Sequence, residues 1–312
     1  MTLNKGMLRT ALPILIIMFT LPLYASSYSI SLLTSILMYA TLTVSWMILS
    51  GYTGYVSLGS AAFFGLGAYM PTLLWPMLPF PLLVLVGGAT AGVFAFIIGI
   101  PVLRIRGPYF VILTFGLSQL LQQVFVLYES NVKGQVGTLL LNTPSQNTIY
   151  IALLAVCVGA IIAAQVIKNS KFGYGLFSIR GDEEAAEAMG VNTTRSKLFA
   201  FVISSTFMGF VGSIMALRWT FIDPPIAFNY LISFQVCIMS ILGGWKNFRG
   251  PLLGAIVLTL ISEAFGVKFP YYFMIILGVT LILLMKFLPD GLLDAIQRLQ
   301  KKRRAIIDLT NR

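Results

Sequence analysis

Ten apolar runs follow one another along this chain of 312 residues, most of them close to the roughly 20 residues a helix needs to cross a bilayer core about 30 Å thick. They extend over Thr10–Tyr24, Tyr28–Ser50, Val56–Trp75, Leu82–Leu103, Tyr109–Tyr128, Thr148–Ile167, Leu198–Leu217, Phe228–Leu242, Pro251–Val267 and Tyr271–Leu288. No soluble architecture absorbs so many. A water-facing surface keeps roughly a quarter of all residues charged, whereas here 10% are charged, 58% are hydrophobic and the mean hydropathy is +0.90. The expected fold class is therefore all-α, a polytopic helical membrane protein with about ten transmembrane helices. Residues 1–312 are expected to form a single transmembrane domain, since lipid replaces the separate soluble core from which domain counts are usually inferred. Met1–Arg9 has a positive start, but Pro13 and Pro22 interrupt the run that follows and no small-residue cleavage site is clear, so it reads as an anchor.

The net charge of +11 could point to nucleic acid, to anionic lipid or to topology, and the positions of the charges decide. With the amino terminus inside, 18 of the 21 Lys and Arg residues fall in loops of one parity, leaving Lys133, Arg218 and Lys268 outside. Cytoplasmic loops retain positive charge, so both termini are expected in the cytoplasm. The charges are spread over five loops and not gathered on one face, which excludes nucleic acid as the partner. Basic residues of the run Lys301–Arg304 follow Leu292, Ile296 and Leu299 at helical spacing, so residues 289–312 are expected to lie as an amphipathic tail on anionic headgroups.

Chemistry is constrained by what is missing. There is no histidine, and Cys157 and Cys237 stand in separate apolar runs, so neither a metal site, nor a redox pair, nor a nucleophile with an imidazole base is assembled from this composition. The phosphate-cradling Gly-x-x-x-x-Gly-Lys-Ser/Thr loop is also absent, so ATP is not expected to bind this chain in the P-loop manner.

Three segments stand apart from the apolar runs. The polar loop 168–197 holds four of the ten acids. Within it Asp182 and Glu183 suit a helix amino end, Ala185, Ala186 and Ala188 favour helix, and Gly190 supplies a stop, so a short cytoplasmic helix is expected over Asp182–Met189. The stretch Gly51–Tyr69 carries five glycines and several small hydroxyl residues at the entry to an apolar run. Two readings fit it: small-residue helix packing, or a broken helix whose free amino end faces an anionic substrate group. In Gly243–Ala255, Pro251 suits a first helical turn, and Gly250 and Gly254 permit close helix approach. Glycines 88 and 92, or Gly209 with Ser213, form further small-residue stripes that suit contacts with a partner helix. Glu263 is the one acid placed within a span, one turn from its outer end and near Lys268.

In these segments the chain resembles the permease subunits of branched-chain amino-acid ABC importers, of the LivM type. The family's Gly-x-x-Gly-x-x-Ser-Leu-Gly run and its following Phe-x-Gly-x-Gly-Ala-Tyr are matched by Gly51, Gly54, Ser57, Leu58, Gly59 and by Phe64, Gly65, Gly67, Ala68, Tyr69. Its Arg-Gly-Pro-Tyr-Phe segment stands at Arg106–Phe110, followed by Leu113 and Thr114, and its Glu-Ala-Ala core with a glycine shortly after at Glu184–Gly190. The family commonly has a polar residue where Tyr55 or Val56 stands and often His at the position of Ser60.

The resemblance implies an ABC importer permease fold in a bacterial cytoplasmic membrane. It implies a non-catalytic subunit that transports branched-chain or similar small hydrophobic amino acids; related permeases carry urea, short amides, aromatic acids or sugars. The implied partners are a second, LivH-like permease, two cytoplasmic ATPases that bind the ATP and magnesium, and an extracytoplasmic solute-binding protein. No cofactor is implied on this chain. By the same resemblance Asp182, Glu183, Glu184, Ala185, Ala186, Glu187 and Gly190 form the coupling helix held by an ATPase. Ser57, Gly59, Ser60, Tyr109 and Thr114 are the expected substrate-pathway residues. Because charge parity puts Gly51–Gly54 near the cytoplasmic end, that pathway requires the third segment to be broken or re-entrant.

Overall fold

A computed structural model describes residues 17–75, 77–244 and 247–268, with isolated positions at 275, 278, 279, 282 and 293. Most of the first expected span, the tenth span Tyr271–Leu288 and the tail 289–312 lie outside these residues. Eleven α-helices are described, here numbered α1 (Ser27–Trp46), α2 (Ser60–Leu74), α3 (Phe80–Val102), α4 (Pro108–Tyr128), α5 (Gln146–Lys168), α6 (Lys171–Gly181), α7 (Glu183–Ala188), α8 (Thr193–Trp219), α9 (Pro224–Ala227), α10 (Tyr230–Gly243) and α11 (Arg249–Lys268). A two-stranded antiparallel pair, β1 (Thr138–Leu139) with β2 (Phe221–Ile222), is the one departure from an all-helical chain among the described residues.

Ten full spans are not what these residues show. Six stretches are long and apolar enough to cross a membrane: Ser27–Gly51, Phe80–Val102, Pro108–Val132, Gln146–Lys168, Thr193–Trp219 and Pro224–Gly243. The third expected span is the shorter apolar helix α2, because its first residues are unwound. The ninth corresponds to α11, whose sequence includes Arg249, Glu263 and Lys268.

Helix α8 is the hub, packed against α1, α2, α3 and α5. Its contacts with α2 and α3 run through glycine, and here backbone meets backbone. A methyl group built on Gly67 would lie 2.1 Å from the Gly209 carbonyl oxygen, and one on Gly209 would lie 2.6 Å from the Gly87 carbonyl oxygen. Ser213 donates its hydroxyl to the Gly67 carbonyl at 2.8 Å. The stripes at Gly88 and Gly92, and at Gly209 and Ser213, are thus not free for another subunit as the sequence reading expects. Gly88 lies against Phe210, Gly92 against Thr206, and both pairs close the α3–α8 seam within the chain. Without a hydrophobic driving force between helices in lipid, close approach at small residues holds such a bundle together.

Helix α1 solves a different problem, the burial of hydroxyls. Thr34, Thr41 and Ser45 are fully buried, and each donates back to the carbonyl four residues earlier at 2.6 to 2.7 Å. At the opposite end of the bundle from the α6–α7 loop, Arg218 donates to Ser31 and Ser35, Tyr28 donates to Glu263, and Asp223 caps α9 through Ile226 N–H. Glu263 thus has a hydroxyl partner on α1; the Lys268 side chain, its neighbour by sequence spacing, lies outside the described residues.

Candidate functional site

The chain between α1 and α2 does not continue as α-helix. The last turn of the span Ser27–Gly51 widens into a π-helix, Met47–Gly51, and Gly54 takes φ +79°, a left-handed conformation that glycine adopts without a Cβ penalty. Residues 54–59 then run irregularly from the exposed Gly54 to the buried Ser57 and Gly59 until α2 begins at Ser60. Backbone polar groups in a low-dielectric interior need partners, and side chains supply them. Ser50 Oγ accepts from Ser57 N–H at 3.2 Å, Thr114 Oγ1 from Leu58 N–H at 3.0 Å and Ser57 Oγ from Gly59 N–H at 3.2 Å. The Trp46 indole donates to the Ser57 carbonyl at 2.8 Å, and Ser233 Oγ accepts from Ala61 N–H at 2.8 Å. The break is thus held by hydroxyls from the π-helix, from the break itself, from α4 and from α10, together with the Trp46 indole of α1.

Beside the break lies a small cavity of about 10 Å³, lined by Trp46, Ser50, Ser57, Ser60, Ser204 and Ser205 together with apolar neighbours. Ser60 Oγ and Ser205 Oγ are buried and make no hydrogen bond among the described residues. A buried hydroxyl is normally paired, so two orphans facing one cavity mark a polar hole in an otherwise apolar bundle.

The other part of the site is α7. Asp182 caps it, its carboxylate accepting from the N–H groups of Glu184 at 2.9 Å and Ala185 at 3.1 Å. Gly190, at φ +87°, closes it in a Schellman arrangement: Gly190 N–H donates to the Glu187 carbonyl and Val191 N–H to the Ala186 carbonyl. The expected helix Asp182–Met189 therefore forms, with Asp182 and Met189 as its caps. Ala186 is buried against the bundle, while Glu184, Ala185, Glu187, Ala188 and Met189 are exposed. The loop thus presents an acidic and alanine-rich ridge to whatever lies beyond it.

Glu183 does not belong to that ridge. Its side chain, 11% exposed, turns inward to Lys197 at the start of α8, whose side chain is 4% exposed; Lys197 Nζ lies 2.5 Å from Glu183 Oε1. Lys197 Nζ also donates to the Tyr55 hydroxyl at 3.2 Å and to the Leu103 carbonyl at 3.2 Å, and the Tyr55 hydroxyl donates to Glu183 Oε2. Arg106 approaches Glu183 and Glu184 at 3.5 Å from a half-exposed position. Burial alone would push the Glu183 carboxyl up. Hydrogen bonds from Lys197 and Tyr55 and the charges of Lys197 and Arg106 outweigh burial and hold the carboxyl below the ordinary carboxylate range. Two residues before the cap of α7, Arg180 donates to the Gly51 carbonyl at 2.9 Å, so the end of the span Ser27–Gly51 is tied to the same loop.

Of the expected pathway residues, the structure brings Ser57, Gly59 and Thr114 together: a methyl group on Gly59 would lie 3.4 Å from both Ser57 Oγ and Thr114 Cβ. Ser60 is next in the chain, and its hydroxyl lines the cavity. Tyr109 is not among them; at the start of α4 it is 73% exposed. Its neighbour Phe110, fully buried against the Tyr55 ring, takes the inward position. Sequence reasoning missed Tyr55, Lys197 and Ser205. It also missed Glu129, which is fully buried just past α4 and accepts from Gly137 N–H at 2.8 Å. Their signal is spatial: Tyr55 and Lys197 are 142 residues apart.

A family profile described as branched-chain amino acid transport system / permease component matches residues 28–285. The chain is 28% identical to the high-affinity branched-chain amino acid transport system permease protein LivM of Salmonella typhimurium, over 90% of this chain and 73% of that protein. It is 27% identical to LivM of Escherichia coli, over 87% and 71%. A shorter match, 25% identical over 42% of each chain, is to the ribose import permease protein RbsC of Haemophilus influenzae. No solved structure matches the chain. A family match that begins at the first residues of α1 and extends past α11, on a chain of long apolar helices around a glycine-packed hub, establishes that this is a multi-pass membrane protein and a non-catalytic permease component belonging to the branched-chain amino acid transport family.

Proposed function

We propose that this chain is a transmembrane permease subunit of an ATP-driven importer, which forms part of the pathway for branched-chain or similar small hydrophobic amino acids and couples to cytoplasmic ATPases. The observation that carries the coupling part is α7: a short helix, capped at both ends, exposed along one ridge and fastened to the break between α1 and α2. Within the loop 168–197, Glu184, Ala185 and Glu187 would face an ATPase surface, Asp182 and Gly190 would cap the helix, and Glu183 and Ala186 would fasten it to the bundle. Ser57, Gly59, Ser60 and Thr114 would line the pathway; the exposed Tyr109 stands further out. The amino-acid reading is supported by the extent of likeness, since the LivM relatives align with 87 to 90% of the chain and the ribose permease with 42%.

In this reading residues 1–312 form a single ten-span domain in a bacterial inner membrane, both termini face the cytoplasm, and residues 289–312 rest on its headgroups. A second, LivH-like permease packs beside it. Helix α4 supports that pairing: few of its residues are buried, and the half-buried Gln122 and exposed Gln123 lie on its little-covered surface. Polar side chains on a little-covered helix are costly against lipid and suit a protein or aqueous neighbour. Two ATPases supply ATP hydrolysis and an extracytoplasmic binding protein delivers the solute. The test is uptake into proteoliposomes holding both permeases and both ATPases. Vanadate-sensitive L-leucine uptake that requires the binding protein is expected. Uptake that persists without ATP and collapses with the proton gradient would replace this reading with a secondary transporter, and uptake of ribose or urea in place of leucine would replace the substrate.

A further inference from the structure

We infer that Lys197, Glu183 and Tyr55 form a latch that transmits movement of α7 to the unwound segment 54–59; the inference rests on the coupling role proposed above and adds the internal linkage. Lys197 Nζ has three acceptors on three different elements: Glu183 on α7, the Tyr55 hydroxyl in the unwound segment and the Leu103 carbonyl at the end of α3. Tyr55 closes the triangle by donating to the second oxygen of Glu183. Arg180, at the end of α6, holds the Gly51 carbonyl at the other side of the break. The break is therefore gripped before and after Gly54 by the two short helices of one loop.

Three properties suit this cluster to transmission. The ion pair is buried, and moving one member without the other would leave a charge unpaired in a poor solvent, so Glu183 and Lys197 move together or not at all. The segment that it grips is the part of the chain between α1 and α2 without a helical hydrogen-bond ladder, hence the part that yields at least cost. The same segment carries Ser57 and Gly59, whose hydrogen bonds to Ser50 and within the turn lie two to four residues from Tyr55. A displacement of α7 thus reaches the candidate pathway through one hydroxyl. Tyr55 and Lys197 act here as positioning residues, without touching substrate.

The experiment uses the complete reconstituted transporter with L-leucine as probe and reads leucine taken up per ATP hydrolysed. Tyr55→Phe removes a single hydroxyl and leaves the ion pair, so it should fold and assemble. Its uptake per ATP is expected to fall about tenfold, within the range of ordinary coupling energies, with ATP hydrolysis itself retained. The neutral double variant Glu183→Gln/Lys197→Met leaves no lone buried charge and should uncouple at least as strongly, whereas Lys197→Arg should restore most of the ratio. A merely structural role would lower uptake and hydrolysis together. Wild-type ratios in an inserted, assembled Tyr55→Phe transporter and in the double variant would overturn the latch. If the wild-type assembly hydrolyses ATP and carries ribose or urea in place of leucine, the substrate reading fails instead, and the same ratio is read with that solute.

Discussion

The α2–α3–α8 seam and the α1–α2 break lie side by side, yet they restrict residue choice in opposite ways. In the seam, volume decides. Gly67, Gly87 and Gly209 face backbone or a hydroxyl at distances no side chain tolerates, and polarity is nearly irrelevant. At the break, hydrogen-bond count decides, and Ser50, Ser57, Thr114 and Ser233 are there to satisfy N–H groups that a helix would have satisfied for itself. A bundle in lipid thus combines a rigid spine, where one extra methyl is too many, with a soft joint, where one missing hydroxyl matters.

The largest expected effect breaks the spine. Gly67→Val or Gly209→Val drives a branched side chain into backbone that cannot step aside, at a cost beyond the roughly 1–3 kcal/mol of ordinary overpacking. No monodisperse folded protein should survive detergent extraction, as judged by size-exclusion chromatography. Gly116 on α4 is the contrasting position, with no atom within 4 Å of a built Cβ. Gly116→Ala should leave the melting temperature unchanged or raise it, by up to about 1 kcal/mol of helix propensity. A Gly67→Val protein that melts like wild type would show that the seam is not the spine.

What was legible in the sequence follows the same division. The ends of α7 could be read because a cap is local chemistry: Asp182 accepts from residues two and three ahead, and Gly190 closes a turn begun at Ala186. The break could be suspected because glycines and hydroxyls cluster between Gly51 and Gly59. The seam was misassigned, since Gly209 and Ser213 advertise close approach without saying whether the neighbour is the same chain. Lys197 was counted among cytoplasmic charges, as its composition alone suggests, and only the fold shows it buried between Glu183, Tyr55 and Leu103. The span count rested on apolar length, which says nothing of where a run unwinds, so the third run became a 15-residue helix preceded by a joint.

The joint is tested next, at its outer handle. Gly190→Val forces a β-branched residue to φ near +87°, which costs about 1–2 kcal/mol locally and redirects the chain after α7. The protein should still insert, because nothing lies within 4 Å of that position. Leucine uptake should fall while ATP hydrolysis continues, and Glu184→Lys should do the same without strain by reversing charge on the exposed ridge. Intact uptake in both variants would remove the coupling role from α7 while leaving the seam untouched.

Acid offers a smaller and reversible perturbation of the same joint. The carboxyl of Glu183 is held below its ordinary value of 4.5, so the folded state binds this proton less readily than the unfolded state. Its contribution to fixing α7 is complete above about pH 4.5 and is lost as pH falls through the depressed folded value. A spin label at the exposed Ala185 should therefore keep one mobility between roughly pH 5 and 8 and loosen only in stronger acid. Loosening near neutrality would mean that Glu183 is not held by Lys197.

The smallest effect separates the two regions most finely, because Ser205 sits on the spine helix α8 but faces the joint. Its hydroxyl is buried without a partner, so removing it takes away a desolvated polar group and no bond. Ser205→Ala should be neutral or stabilising by up to about 1 kcal/mol in thermal unfolding, since the penalty of an unsatisfied group disappears with the group. Ser213→Ala, four residues before Leu217 on the same helix, should instead destabilise by about 1 kcal/mol through loss of its bond to the Gly67 carbonyl. If Ser205→Ala is as stable as wild type yet slows leucine uptake, the orphan hydroxyl serves the pathway during transport, and the cavity that it lines with Ser60 belongs to the joint. If it destabilises as Ser213→Ala does, the hydroxyl has a structural partner and the cavity is part of the spine.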